Sequence, residues 1–219
     1  MDSYTVTPHT KLRRLPKRGS YDKAVVHAIL DHGFICHIGF AVEGQPYVIP
    51  TVYARDDATL YVHGSAVSRM LRTLTQHVPV CITVTLLDGL VLARSAFHHS
   101  LNYRSVVMLG NARLVEDAQE KMRALALITN HVVPARWEEA RTPNDLELRQ
   151  TSVMALPLAE VSAKIRTGPP VDDDEDYALP IWAGVVPVET RLGQPIDDGR
   201  LLPGVAGFDL ARIGRFIPR

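Results

Sequence analysis

The 219-residue chain carries 24 basic and 24 acidic side chains, so its formal net charge is zero, and 46% of its residues are hydrophobic. This balance leaves no global field that would draw nucleic acid or an anionic membrane to the protein, and neither partner is expected. The sequence has no apolar run of about 18 residues that could span a bilayer, and residues 1–10 lack the apolar core of a signal peptide. We therefore expect a cytoplasmic protein.

The length suits one domain with a sizeable core. We expect this domain to span residues 1–219, with its core at about 20–190, a basic N-terminal arm at 1–19 and an irregular extension at 191–219. Pro16 interrupts the charged part of the arm, which favours an extended segment over a helix. The basic residues of the arm are Lys11, Arg13, Arg14, Lys17 and Arg18.

The first regular element is a helix over roughly 20–32. Ser20 is expected to cap its start, and Gly33 is expected to end it in the left-handed conformation. Three β-rich runs follow, and the turn formers Glu43-Gly44 and Asp56-Asp57 separate them. These runs, at 34–40, 47–53 and 59–63, predict a three-stranded meander.

The middle of the chain predicts a second helix capped by Ser65 and then a strand over 78–86. Asp88-Gly89 is a strong hairpin signal, which would lead into a further strand over 90–96. Another long strand is expected over 103–115.

The last part of the chain predicts a third helix that starts after Asp117, with a capping-box-like Glu120 three residues on. Residues 134–148 are expected to be irregular or helical. Strand character returns over 153–165, which should close the sheet, and 180–187 is a last extended piece. The chain is therefore expected to be mainly β with flanking α-helices.

Metal binding gains little support from the sequence. Cys36 and Cys81 match no ligand spacing and are expected to be buried free thiols. The consecutive carboxylates of 172–176 cannot all converge on one ion, so a solvated loop is the better interpretation. No metal site is predicted.

The histidines leave one alternative open. His98 and His99 are adjacent, and on a strand their side chains would point to opposite faces, so one ion could not easily use both. Heme ligation by one of these two residues or by His63 stays open.

One candidate ligand site is the segment from Tyr61 to Arg69, where a strand ends in a glycine turn before a helix. A helix start of this kind presents free main-chain amides to an anion. The hydroxyls of Ser65 and Ser68 and the guanidinium of Arg69 could add hydrogen bonds to a phosphate monoester. The spacing is neither a Walker motif nor a dinucleotide fingerprint.

A second candidate is the segment from Phe97 to Val107, which places hydrogen-bonding and cationic side chains directly before an apolar run. Polar groups at the start of a buried strand need a partner, and this combination suits a phosphorylated aromatic ligand. No Gly-x-Ser-x-Gly elbow or assignable base supports hydrolase chemistry. A tightly bound cofactor that performs the reaction is more economical.

The segments Arg13 to Arg18, His63-Gly64-Ser65 and Arg94 to Val107 resemble the pyridoxamine 5′-phosphate oxidase-related proteins. These FMN-binding split-barrel proteins include a nitroimidazole-resistance branch, and the resemblance spans roughly 10–190. It implies a six-stranded split β-barrel of Greek-key type with flanking helices. It also implies a homodimer that binds FMN at the subunit interface.

The resemblance further implies which residues bind the cofactor. Ser65, Ser68 and Arg69 would contact the phosphate, and His63, near the ring, is the candidate catalytic residue as well as a cofactor contact. Trp182 would lie beside the flavin. The ring would lie along Ile49, Pro50, Thr51 and Val52, and the pocket would be completed by Ser100, Asn102, Tyr103, Arg104 and Ser105.

The function expected on this basis is that of an FMN-dependent oxidoreductase, of the pyridoxamine-phosphate oxidase or nitroreductase type, in which flavin N5 exchanges hydride with a nicotinamide or a small organic substrate. The sequence lacks the full set of C-terminal contacts that true pyridoxamine-phosphate oxidases carry. Two alternatives stay open. One is a flavin-binding or flavin-sequestering protein without turnover, and the other is a heme-binding relative with the same barrel.

Overall fold

The computed structural model describes residues 2–214, whose ten strands form one antiparallel sheet. The strands follow the order β1-β9-β6-β5-β2-β3-β4-β8-β7 across the sheet, and β10 pairs with β5 beside this path. Their bounds are β1 (Gly19–Ser20), β2 (Ile35–Val42), β3 (Gln45–Asp56), β4 (Thr59–Ser65), β5 (Pro79–Leu92), β6 (Ser100–Asn111), β7 (Arg113–Leu114), β8 (Thr151–Pro157), β9 (Glu160–Arg166) and β10 (Gly184–Pro187).

Within residues 2–214, five α-helices flank the sheet, together with four short 3-10 helices at Pro16–Arg18, Ala96–His98, Asp174–Ala178 and Leu210–Arg212. The predicted mainly β architecture with flanking helices is confirmed, and it agrees with a split barrel. In the described residues, no helix is both long and apolar enough to cross a bilayer. The α-helices are α1 (Lys23–His32), α2 (Arg69–Leu74), α3 (Ala118–Val132), α4 (Arg136–Glu139) and α5 (Asp145–Gln150).

Buried side chains lie on both faces of the sheet because successive strand residues point in opposite directions. Tyr53 belongs to the larger core, which α1 covers, whereas its neighbour Ala54 belongs to a second cluster under α3. In that second cluster Leu125 and Ile128 of α3 pack against strand residues including Tyr61 of β4. The sheet is thus covered differently on its two sides.

The ends of α1 differ from the sequence prediction. Asp22, not Ser20, is the N-cap, and its carboxylate accepts hydrogen bonds from the main-chain N–H groups of Ala24 and Val25. Gly33 follows the helix with φ of −75°, so it is extended rather than left-handed. Glycine is needed there for space, because a Cβ atom would lie 2.8 Å from Val84 Cγ1 and 2.9 Å from the Tyr53 hydroxyl.

The predicted strands of the meander are confirmed, but several later boundaries were wrong. Asp88 and Gly89 lie inside β5, where the register against β6 shifts in a bulge, so there is no hairpin at this point. The chain leaves β5 at Leu92. The single strand expected over 153–165 is two strands joined by a short connection: β8 pairs with β4 and β7, and β9 pairs with β6 and β1. The strand expected over 103–115 is divided into β6 and β7.

The N-terminal arm is attached to the domain. Its charged part is not wholly extended, since Pro16–Arg18 form a 3-10 helix with Pro16 in the first turn. The Tyr21 hydroxyl accepts a hydrogen bond from Leu12 N–H and donates one to the carbonyl of Thr10. These contacts hold the arm against the chain ahead of α1.

The C-terminal extension leaves β10 and crosses the surface without a helix or strand until Leu210–Arg212. Arg212 then forms an ion pair of 2.8 Å with Glu139 of α4. The described part of the extension therefore ends beside α4. Residues 215–219 of the predicted extension, and Met1 of the predicted arm, lie outside the described residues.

Candidate functional site

A groove of about 410 Å³ opens between β3, β4 and the start of α2. It brings together two of the predicted segments, the one around Ile49 to Val52 and the one from Tyr61 to Arg69. They lie close together because β3 and β4 are sequential strands. Val52 of the predicted set is not part of its lining. The predicted residues that do line it are Ile49, Pro50, Thr51, His63, Ser65, Ser68 and Arg69.

The β3 side of the groove is an open strand edge. β3 pairs with β2 from Gln45 to Val52, whereas β4 pairs with β3 only from Tyr53 onward. Proline cannot donate to a ladder, so the nitrogens of Pro46 and Pro50 must face away from β2. The direction of the main-chain N–H groups alternates along a strand, so those of Val48 and Val52 point away from β2 as well. They are the free N–H donors of this edge.

Arg69 provides the positive charge of the groove. Its guanidinium carbon lies 4.9 Å from the centre of the Tyr47 ring, within the range of a cation–π contact. No carboxylate in the described part of the chain forms an ion pair with it. Arg69 is therefore a positioned cation that can still receive an anion.

The two serines are partly used by the fold. Ser68, rather than the predicted Ser65, is the N-cap of α2, and its Oγ accepts a hydrogen bond of 3.2 Å from Leu71 N–H. Ser65 Oγ accepts a hydrogen bond of 3.4 Å from Val67 N–H. Each hydroxyl keeps its proton for a ligand. α2 itself is short, with only six residues.

His63 of β4 lines the groove and also a second, smaller cavity of about 240 Å³, which we call the back cavity. Its Nδ1 is buried and has no hydrogen-bond partner among residues 2–214. Burial lowers the pKa of His63 from its ordinary value of 6.5, because the charged form loses solvation. The imidazole is therefore neutral at pH 7 and can act as a hydrogen-bond partner or a ligand.

The second predicted segment lies apart from the groove in one copy of the chain. Residues 100–105 belong to β6, and both β5 and β2 separate β6 from β3 in the sheet. Arg104 makes a forked ion pair with Asp88, with Nε at 2.9 Å and Nη2 at 2.7 Å from the carboxylate oxygens. The cation expected to need a ligand thus has a partner within the protein.

Other polar groups of β6 are also satisfied. Asn102 accepts a hydrogen bond from Arg166 and donates one of 3.1 Å to the carbonyl of Gly168. The Ser105 hydroxyl donates to the carbonyl of Lys164 at 3.2 Å. Neither Ser100 nor Tyr103 lines the groove. Within one copy the segment is consequently a structural network.

Trp182 is 64% exposed and does not line the groove. It packs against Gly184, where a Cβ atom would come within 2.9 Å of the indole ring. The residue therefore lies beside β10, which pairs with residues 89–92 of β5 on the edge opposite to β6.

His98 and His99 do not lie on a strand as expected. His98 ends a 3-10 helix, and its Nε2 lies 3.2 Å from Asp173 Oδ2, while His99 Nδ1 lies 2.9 Å from the carbonyl oxygen of Ser95. The ligand atoms of His98, Asp173 and Asp176 all lie within 4.8 Å of one another. The hydrogen bond between His98 and Asp173 accounts for this cluster, whose Asp173 side chain is 76% exposed.

The acidic run is not wholly solvated. The Asp172 carboxylate is buried, accepts hydrogen bonds from the N–H groups of Arg94 and Ser95 at 2.9 and 3.2 Å, and forms an ion pair with the Arg94 guanidinium. Arg94 in turn contacts the Tyr177 ring at 4.9 Å. Sequence reasoning missed this connection because its partners are more than 70 residues apart.

Sequence reasoning also missed Phe40, Tyr47 and Met70, which line the groove. Phe40 and Tyr47 are register partners on β2 and β3, and their rings stack with centroids 5.7 Å apart. The two-residue turn at Glu43-Gly44 was recognised, and counting outward from it pairs the two aromatics. The register of this hairpin was therefore the sequence signal that could have placed Phe40 beside Tyr47.

The model of the pyridoxamine 5′-phosphate oxidase family matches residues 22–165. This chain belongs to that family. The matched region contains the whole groove and β6, and the extension after β9 lies outside it. A search of curated proteins gave no match.

Solved structures extend the likeness to nearly the whole chain. The flavocytochrome Anf3 from Azotobacter vinelandii is 40% identical, with 96% of this chain and 97% of that one covered and a TM-score of 0.89. The FAD and heme binding protein from Mycobacterium smegmatis is 31% identical, with 91% and 97% covered and a TM-score of 0.85. A Bacteroides thetaiotaomicron protein assigned to 5-nitroimidazole antibiotic resistance is 26% identical, with 67% and 86% covered and a TM-score of 0.58.

Proposed function

We propose that the groove binds the phosphorylated part of a flavin and that the protein is a flavin-dependent oxidoreductase. The observation that supports this most directly is Arg69, which is held by Tyr47 over the groove without an anionic partner among the described residues. A flavin phosphate supplies the missing anion, and the hydroxyls of Ser65 and Ser68 can donate to the same oxygens. The names of the flavocytochrome and of the FAD and heme binding protein support a flavin as ligand.

The ring is proposed to lie along residues 49–52. The side chains of Ile49 and Pro50 offer an apolar surface, and the open edge of β3 offers the N–H groups of Val48 and Val52 to ring oxygens. We propose FMN as the cofactor, on the strength of the single phosphate-binding arginine. FAD is the competing form, because the Mycobacterium smegmatis relative is named for it.

A second copy of the chain is proposed to complete this site as a homodimer. Val48 is 64% exposed and Ile35 is 53% exposed, although both lie on central strands of the sheet. An apolar surface of this kind on a soluble protein is typical of an interface. In a two-fold dimer the segment 100–105 and Trp182 of the second copy would contact the flavin, which reconciles their distance from the groove within one chain.

A bound flavin would supply hydride exchange at its N5 with a nicotinamide donor or a small organic substrate. His63 would lie beside the ring as a neutral imidazole that can hold or deliver a proton, and the stacked Phe40 and Tyr47 would exclude water from one end of the groove. The single domain and the cytoplasmic location stay predictions.

Anaerobic addition of NADH or NADPH to the flavin-loaded protein tests turnover. We expect the oxidised flavin absorption to bleach with at least one donor and to return when air or a nitroaromatic acceptor is admitted. Retained flavin that neither donor bleaches at any concentration up to the millimolar range would instead favour a flavin-sequestering protein without turnover.

Heme binding is a second candidate, favoured by one structural observation and by two relatives whose names include a cytochrome or heme. Among the three histidines considered, His98 and His99 have partners, whereas His63 Nδ1 has none in the described residues. A neutral imidazole without a partner fits a heme iron. Titration with hemin should give a Soret band that His63→Ala shifts or removes and that the control His98→Ala leaves unchanged; an identical spectrum for His63→Ala would exclude this residue as the ligand.

A further inference from the structure

The back cavity lies behind His63, between β4 and the layer formed by α3, α4 and α5. Its volume is about 240 Å³. Pockets for drug-sized ligands are usually about 300–1,000 Å³, so this cavity suits a molecule of one or two rings. His63 is the side chain that it shares with the groove.

The walls of the back cavity are mainly apolar. Leu125 and Ile128 of α3 are buried and belong to the core cluster under that helix, and Trp137 of α4 packs against the same cluster. Pro143 adds a further apolar surface. These aliphatic side chains and the indole give the cavity an apolar lining against which an aromatic ring can pack.

The threonine and glutamate side chains of the cavity already have partners. The Thr129 and Thr151 hydroxyls donate hydrogen bonds of 2.9 Å to the carbonyls of Leu125 and Glu147. The Glu147 carboxylate pairs with Arg141 at 2.7 Å and accepts from Asn144 N–H. Among the fully buried side-chain polar atoms of this lining, His63 Nδ1 has no hydrogen-bond partner within residues 2–214.

These features define the chemistry of a ligand. A charged group would lose its hydration without gaining an unpaired counter-charge, which is costly. A ring without any polar group would leave the buried imidazole nitrogen unsatisfied. A flat ring with a single hydrogen-bonding group satisfies both conditions.

We propose that the back cavity binds a small uncharged aromatic molecule with one hydrogen-bonding group, such as a phenol or a neutral heteroaromatic ring, that pairs with His63. This site is separate from the flavin groove and does not require the groove to bind flavin. Because His63 lines both spaces, a ligand in the back cavity would contact the side chain that faces the groove.

The first test is ¹⁹F NMR of 4-fluorophenol with the full-length protein, beside 4-fluorobenzoate as the charged counterpart. We expect a dissociation constant of about 0.1–1 mM for the phenol, as is usual for a ligand of this size. With excess inorganic phosphate present to occupy Arg69 in the groove, we expect no saturable binding of the benzoate. Equal binding of the two molecules, or no binding of the phenol, would overturn the proposal.

The second test locates the phenol without relying on a variant. Intermolecular NOEs from its ring protons should reach the methyl groups of Leu125 and Ile128, whereas NOEs to Ile49 and Met70 would place it in the groove and contradict the proposal. Trp137→Ala should weaken binding by about tenfold, which is the loss expected for one aromatic contact. Phe97→Ala removes an aromatic ring that is 88% exposed and should leave the affinity unchanged.

Discussion

The guanidinium of Arg69 lies 4.9 Å from the ring of Tyr47, so the first residue of α2 is held against the open edge of β3. The contact with Tyr47 already restricts the Arg69 side chain in the folded protein. Binding a ligand therefore costs less conformational entropy at Arg69. A cation already in position is the feature that a phosphate site needs. This pair is the basis of the first prediction.

Arg69→Ala should weaken the binding of FMN by about 1.5–3 kcal/mol, the range for a hydrogen bond to a charged group. Arg72→Ala is the matched control, because Arg72 lies on the same helix, is exposed and does not line the groove. Quenching of flavin fluorescence measures both affinities. Equal affinities for the two variants would show that Arg69 does not contact the phosphate.

Mixed dimers test whether two copies build each flavin site. Arg69→Ala damages the groove of its own copy, and Tyr103→Ala damages the β6 segment that is proposed to reach the other copy. After the two inactive proteins are mixed and allowed to exchange subunits, about a quarter of the sites should be intact, since each mixed dimer has one undamaged site. If each site were built within one copy, mixing would recover no flavin binding.

His63 should make stability depend on pH. Burial lowers its pKa below the ordinary 6.5, so the unfolded state binds the proton more readily than the folded state. The free energy of unfolding is then highest above pH 6.5 and falls as the pH drops through the unfolded value towards the folded one. Melting temperatures at about pH 5 and pH 8 measure this loss.

A further variant separates the effect of His63 from that of another histidine, His27. Burial also lowers the pKa of His27, which contributes in the same direction. His63→Gln should reduce the difference between the two melting temperatures, and adding His27→Gln should reduce it further. A difference that His63→Gln leaves unchanged would show that His63 is not buried in its neutral form.

Gly33→Ala should lower stability by about 1–3 kcal/mol, because the added methyl group overpacks a well-filled core. A Cβ atom would lie 2.8 Å from Val84 Cγ1 and 2.9 Å from the hydroxyl of Tyr53, which is fully buried and donates a 2.6 Å hydrogen bond to the Leu30 carbonyl. Gly193→Ala is the control, as nothing lies within 4 Å of its Cβ position. Urea unfolding compares them, and equal midpoints would contradict the packing described here.

The meander of β2, β3 and β4 could be predicted because its turns have strong local signals. Glu43 and Gly44 both adopt positive φ, at 49° and 81°, as a tight hairpin requires. Asp117 likewise could be recognised as a cap from its own neighbourhood, and it does cap α3. Local chemistry decides these elements, so one sequence is enough.

Asp88-Gly89 shows where local signals fail. The same dipeptide that favours a hairpin lies in a β5 bulge here, because β6 and β10 pair with the strand on both sides and Arg104 binds the Asp88 carboxylate. Tertiary pairing overrides turn propensity, and one sequence contains no record of the partner strands. The error at the end of α1 has a similar origin, since the space available at Gly33 depends on Val84 and Tyr53.

Of the two predicted segments of the candidate site, the groove could be recognised from local sequence and the β6 segment could not. The groove is built from β3, β4 and α2, which follow one another closely in the chain, so a motif of adjacent residues finds Ser65, Ser68 and Arg69. The partners of Arg104 and Asn102 are distant, and their polar character alone suggested a ligand where the protein itself supplies Asp88 and Arg166.

Flavin retention by the purified protein is the most direct test of flavin binding in the groove. The protein is incubated with FMN, or separately with FAD, and desalted, and its visible absorption spectrum is recorded. We predict that oxidised flavin absorption stays with the protein in near-equimolar amount and that Arg69→Ala retains much less than Arg72→Ala. A protein that emerges without flavin from both incubations, at concentrations where the dimer is formed, would contradict the account.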